Sequence, residues 1–261
     1  MRVAVAQISC TVGQGRANLK TIADHVRQAA DKGCRLIAFP EMSDTGYVMD
    51  VISQHAGTRP GYFYDGICSL AADHDMYVAC GMSERVGEKV FNSLLVAGPD
   101  GTERAWYRKV HLFASGPVYE QNVFSAGDRL SLVNIDSIQC GLMICYDLRF
   151  PEQARALMQK GAEALIIVSA WPHARAAHWR LLTKARAVEN QLWVLSSNRC
   201  GTDNGLKLAG SSGIIDPWGE IQVAAPESGE GIFCTDISLK SVTETRHRFP
   251  VLTHRRPDVY T

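Results

Sequence analysis

The stretch IQCGLMICYDLRFPEQARALMQKGAEALIIVSA (138–170) sets the architecture. Residues 138–146 form an apolar run too short for a helix, which reads as a buried strand. Pro151 then opens a helix that runs to Lys160. Proline suits that position because the first turn leaves its N–H unused anyway. ALIIVSA (164–170) is the next buried strand. Strand, helix, strand is the order of an α/β chain.

Reading onward, residues 174–190 are helical and LWVLSSN (192–198) is a strand. SSGIIDPWGEIQVA (211–224) reads as a hairpin around Asp216-Pro217-Trp218-Gly219. GIFCTDI (231–237) adds a strand, and a short helix follows near 238–247. Reading backward, VAVAQIS (3–9) is a strand, 16–32 an amphipathic helix closed by Gly33, and LIAFP (36–40) a buried strand. A helix after Pro60-Gly61 runs to about Asp75. MYVACGM (76–82), FNSLLVAG (91–98) and 103–109 complete a strand and a hairpin. Each half therefore reads β-α-β-α-β-β, a repeat of pattern and not of sequence. Either one sheet system or two facing sheets with helices outside satisfies this order. No linker divides the halves, so one domain over 1–261 is expected. The tail HRRPDVYT (254–261) reads as a solvated or interface segment.

Composition narrows the function. Lysine plus arginine number 27, as do aspartate plus glutamate, so the 261-residue chain is formally neutral. A dedicated nucleic-acid binder carries a basic excess or stripe, so no nucleic-acid partner is expected. No apolar run approaches the roughly 20 residues that span a bilayer, so no membrane partner is expected either. The eight cysteines form no CxxC pair, and several sit in apolar runs. Buried, reduced thiols in a cytoplasmic protein are the plain reading. Gly13-Gln14-Gly15 lacks the third glycine of a dinucleotide fingerprint, because Asn18 stands there. His173 and His178 are five apart, one residue too far for the i,i+4 metal pair of a helix face. Neither a metal nor a cofactor is expected.

In α/β folds, reactive groups gather beyond the carboxyl ends of strands. Glu41 ends LIAFP, Cys145 ends IQCGLMI, and Lys109 follows a hairpin strand. Thiol, carboxylate and amine would make a covalent-catalysis set. Each alone has a plainer reading: a core thiol, a loop cap and a solvated charge.

Three blocks tip the balance. FPEMSDTGY (39–47), YRKVHLF (107–113) and GLMICYDLRFPE (141–152) resemble the signature blocks of the carbon–nitrogen hydrolase (nitrilase) superfamily, in the family's order. The likeness continues through HWRLLTKARAVENQLWV (178–194) and GSSGIIDPWGE (210–220), so it covers almost the whole chain. The resemblance implies an α/β fold in the form of a four-layer α-β-β-α sandwich with internal pseudo-two-fold symmetry. It makes Glu41 the general base, Lys109 the oxyanion stabiliser and Cys145 the nucleophile. Glu120, in GPVYEQNVF, resembles a second glutamate that positions the lysine, and the Tyr146 N–H becomes the second oxyanion donor. Residues 248–261 would contribute to a homodimer, the family's common assembly.

The nucleophile block reads Cys-Tyr-Asp and not the Cys-Trp-Glu of many nitrilases, which resembles the amidase side. With HW…ARAVENQ, it resembles omega-amidase-like members acting on small omega-amides. An N-carbamoyl amidohydrolase, a nitrilase, an acyltransferase and a catalytically silent scaffold are the alternatives. Arg149 would clamp a substrate carboxylate or pair with Glu152. Trp171, Tyr47, Phe113 and Tyr119 would line the pocket or pack in the core.

Overall fold

The structure, a computed structural model, describes residues 1–116 and 118–260. Thr261, the end of the tail reading, lies outside the described residues. The first half runs β1 (Arg2–Gln7), α1 (Gly15–Asp31), β2 (Leu36–Phe39), α2 (Met49–His55), α3 (Tyr62–Asp73), β3 (Tyr77–Val86), β4 (Lys89–Ala97) and β5 (Glu103–Arg108). A small hairpin, β6 (Ala114–Ser115) and β7 (Val118–Tyr119), leads to β8 (Leu132–Ile135). The second half runs β9 (Ile138–Ile144), α4 (Pro151–Gln159), β10 (Ala164–Ser169), α5 (Ala176–Asn190) and β11 (Trp193–Asn198). The hairpin β12 (Thr202–Asp203) and β13 (Leu206–Lys207) follows, then β14 (Gly213–Ile215), β15 (Ile221–Ala224), β16 (Gly231–Asp236), α6 (Leu239–Arg248) and α7 (Pro257–Tyr260).

Two six-stranded sheets result, ordered β16-β1-β2-β3-β4-β5 and β15-β14-β11-β10-β9-β8. β1, β2 and β3 are parallel, as are β9, β10 and β11. Every remaining pairing within the two sheets is antiparallel. The orders match strand for strand, which is the expected pseudo-two-fold symmetry.

Alternation along the strands decides which layer each residue enters. On the first sheet, Ala4, Ile37, Phe39 and Val78 pack outward against Ile22 and Val26 of α1 and Ile67 of α3. Val3, Val5, Leu36 and Ala38 point the other way. They join one apolar cluster with Leu142, Ile144, Ile166 and Leu195 of the second sheet. Helices cover the outer faces, so of the two arrangements left open the facing sheets are the one formed.

Two differences from the sequence reading concern the edges. The strand 231–237 does not extend its own half. It crosses over and pairs with β1, Arg2 opposite Asp236. The first half returns the exchange through β8, which the sequence reading left as loop. β8 pairs with β9 around a tight turn at Asp136, whose φ is +51°. Its four residues include Asn134 and are too few to show a clear period. The seven-residue α2 escaped for the same reason.

Candidate active site

The carboxyl ends of β2, β5, β9 and β10 converge between the sheets. Glu41 stands two residues past β2 and is fully buried. Gly81 of β3 makes that position possible. A Cβ there would lie 2.5 Å from the Pro40 carbonyl oxygen and 2.6 Å from the Glu41 Cα. Glu41 Oε1 accepts from Lys109 Nζ at 3.0 Å and from the Asn92 amide at 2.6 Å. Its Oε2 accepts from the Ala170 N–H at 2.7 Å, just past β10. Both oxygens are thus held in fixed positions.

Lys109 Nζ also donates to Glu120 Oε1 at 2.8 Å. Glu120 Oε1 accepts from the Tyr47 hydroxyl at 2.8 Å, and Oε2 from the Phe113 N–H at 2.6 Å. Burial alone would push the Lys109 ammonium down, but Glu120 and Glu41 outweigh it and hold its pKa well above the ordinary value. Burial pushes the Glu120 carboxyl up against the opposing pull of Lys109.

Cys145 begins a tight turn, Cys145–Arg149, directly after β9. Its φ is +47°, a left-handed conformation that costs a non-glycine residue about 1–3 kcal/mol. The turn is over-determined by Asp147, which is fully buried. Asp147 Oδ2 accepts from the Ile144 N–H at 2.9 Å and the Tyr107 hydroxyl at 2.7 Å. Its Oδ1 accepts from the His111 N–H at 3.0 Å. One carboxylate therefore ties the cysteine turn to the loop that follows Lys109. The Tyr146 N–H lies in the first turn, ahead of the i→i+3 bonds that such a turn makes. Burial pushes the Cys145 thiol up, Glu41 adds to this, and Lys109 opposes both. The net effect raises the thiol above its ordinary value.

A cavity of about 250 Å³ opens above Cys145. Tyr47, Phe113, Tyr146, Arg149 and Trp171 all line it. Tyr119 does not. It is 48% exposed, while its neighbour Val118 faces the cavity. Alternation in the two-residue β7 turns Tyr119 outward. Arg149 makes no ion pair with Glu152 among the described residues. Its guanidinium lies 4.8 Å from the Trp171 ring centre and donates to His178 Nδ1 at 3.3 Å. His173 lies 3.7 Å from Glu227, and among the described residues no group of three potential metal ligands occurs.

Sequence reasoning missed Asn92, Asp147 and Arg175. A buried polar residue must find a hydrogen bond, so Asn92 inside the apolar run FNSLLVAG was a readable signal. Arg175, which also lines the cavity, gave none.

Comparison with known proteins accords with this geometry. Residues 2–247 match the carbon–nitrogen hydrolase family. The chain belongs to that family. This carbon–nitrogen hydrolase is 33% identical to human omega-amidase NIT2 over 251 residues, covering 93% of this chain and 91% of the relative. It is 32% identical to the 2-oxoglutaramate amidase of Bacillus subtilis, covering 99% and 98% of the two chains. A Xanthomonas campestris carbon–nitrogen hydrolase superfamily protein, with an arsenic adduct in its active site, superposes with a TM-score of 0.91. It is 30% identical, with 100% of this chain and 99% of that one covered. An amidase from Nesterenkonia shares the fold at a TM-score of 0.85 and 24% identity, over 97% of this hydrolase and 99% of that chain.

Proposed function

We propose that this hydrolase is an omega-amidase-like enzyme that releases ammonia from a small omega-amide through a thioester on Cys145. The observation that carries the reading is the burial of Glu41, Lys109 and Glu120 as one hydrogen-bonded chain beside a strained cysteine on a cavity wall. Glu41 takes the thiol proton as Cys145 attacks the amide carbonyl. Lys109 and the Tyr146 N–H hold the oxyanion, and Glu120 with Tyr47 holds Lys109 in place. Glu41 returns the proton to the departing ammonia. It then deprotonates the water that attacks the thioester, which frees the acid and restores the thiol. Neither a metal nor an organic cofactor enters this scheme. Phe113 and Trp171 form apolar walls, and Arg149 anchors a substrate carboxylate.

An ammonia-release screen over short omega-amides, carbamoyl compounds, aliphatic amides and nitriles tests this. Omega-amides should lead, and turnover of nitriles or carbamoyl compounds alone would replace the reading with one of its alternatives. Loss of turnover in Cys145→Ala excludes the silent scaffold.

The chain is further proposed to act as one domain, because β8 and β16 bind each half to the other's sheet. Pairing into a homodimer is supported by an exposed apolar face. Leu181 and Val188 share a face of α5, and Val188 abuts Gly219. Beside them Trp218 packs on Phe249 within the expected segment 248–261, their ring centres 6.1 Å apart. Elution at the dimer mass at micromolar concentration is expected, and Leu181→Glu should give monomer. A cytoplasmic location is proposed from the eight free cysteines. Among the described residues no helix is long and apolar enough to cross a membrane.

A further inference from the structure

Among the described residues, the lining of the cavity over Cys145 includes two guanidiniums and no carboxylate. Arg149 and Arg175 both line it, and neither has an acidic partner within ion-pair distance among the described residues. By contrast, the partly buried Arg108 pairs with Glu84 at 2.7 Å and Arg186 with Glu189 at 2.8 Å. Two half-buried cations on one wall repel each other, and burial adds to the cost. Burial and the neighbouring Arg175 both push the Arg149 guanidinium down.

Both cations are nonetheless held firmly. Arg149 lies over Trp171, and the Arg175 guanidinium lies 5.1 Å from the Phe113 ring centre. Trp171 serves both, because its indole N–H donates to the Arg175 carbonyl oxygen at 2.8 Å. Its own backbone N–H is fixed by Asn198 Oδ1 at 2.8 Å. Such stacking orients a planar guanidinium while leaving its N–H groups free to donate. An anion of matching geometry would relieve the repulsion and accept those donors.

We propose that Arg149 and Arg175 form a two-guanidinium subsite for the carboxylate at the far end of the amide substrate, with Arg175 a specificity-determining residue. This rests on the amidase reading. It adds a second, previously unassigned cation that selects anionic amides over neutral ones of equal length. A carboxylate carries about four lone-pair sites, enough to accept from both forks.

The test compares glutaric acid monoamide with pentanamide, which has the same carbon count and no charge. In Arg175→Gln and in Arg149→Gln, the ratio of kcat/KM for the anionic over the neutral amide should fall about 10–100-fold. The loss should sit in KM, since the subsite is remote from the reacting carbonyl. Calorimetric titration of the same two amides onto Cys145→Ala protein reads binding without turnover. There the added Arg175→Gln change should weaken the anionic amide by a similar factor. A ratio and a Kd that stay within twofold in both arginine variants would overturn the subsite. If the arginine-dependent binding preference persists while the wild-type enzyme hydrolyses neither amide, the subsite stands and the amidase reading falls.

Discussion

The carboxyl ends of β1 and β9 occupy matching places in the two sheets. Each lies between an antiparallel partner, β16 or β8, and a parallel one, β2 or β10. The last residue of β1 is tied to its neighbours. The fully buried Gln7 donates to the Pro226 and Gly229 carbonyls, both at 2.9 Å, and accepts from the Ser212 N–H at 3.0 Å. Beyond β9 the chain turns through a left-handed cysteine and faces a cavity. One frame was therefore built twice, and the copy at β9 opens onto a cavity. The β1 end spends its polar groups on neighbours. The open end leaves a thiol and two guanidiniums facing a cavity.

This contrast breaks most sharply at Glu41. Glu41→Gln keeps an acceptor for Lys109 but cannot take a proton, so kcat/KM should drop about 10²–10⁴-fold. Stopped ammonia-release assays on protein with an unchanged circular dichroism spectrum check this. Loss of less than tenfold would remove Glu41 as the base.

The β1 end should respond in the opposite currency. Gln7→Leu removes the side-chain partner of the Gly229 carbonyl and of the Ser212 N–H, while the Pro226 carbonyl keeps the Ser211 N–H, and should cost about 2–4 kcal/mol in urea unfolding. Specific activity per folded molecule should stay within twofold, and a tenfold fall would mean that the two ends are not independent.

A third difference separates the core thiol Cys140 inside β9 from Cys145 directly after it. Burial pushes Cys140 from its ordinary value near 9 up to about 12. Below pH 9 both the folded and unfolded chains keep that proton, so its stabilising contribution is complete. As pH rises from 9 towards 12 only the unfolded chain loses it, and stability falls by about 1.4 kcal/mol per pH unit for this thiol. Cys140→Ala should flatten the decline of unfolding free energy between pH 9 and 10.5 by that slope. An unchanged slope would show that Cys140 does not titrate abnormally. Smallest of all, Tyr119→Ala should leave kcat and KM within twofold, because its side chain points away from the cavity.

Much of the fold was legible because it is written in local periods. The β9–α4–β10 stretch declares strand, helix and strand within one reading frame. The exchange of β8 and β16 was not legible, since nothing in LVNI or GIFCTDI states which sheet will receive it. At the site, Glu41, Lys109 and Cys145 stood out as strand-end residues inside recognisable blocks. Asn92 was legible in principle as a lone amide in an apolar strand. Arg175 was not, because its place on the cavity wall with no acidic partner among the described residues is a property of space and not of sequence. Tyr119 was misplaced by the same limit: a two-residue strand is too short to reveal which of its side chains faces inward.

The central claim is that Cys145 carries the acyl group. Acid-quenching the enzyme during turnover of an omega-amide, followed by peptide mass spectrometry, tests it directly. An adduct on Cys145 equal in mass to the substrate minus ammonia is expected, with the other seven cysteines unmodified. Ammonia release with no adduct at Cys145, or undiminished release by Cys145→Ala, would contradict it.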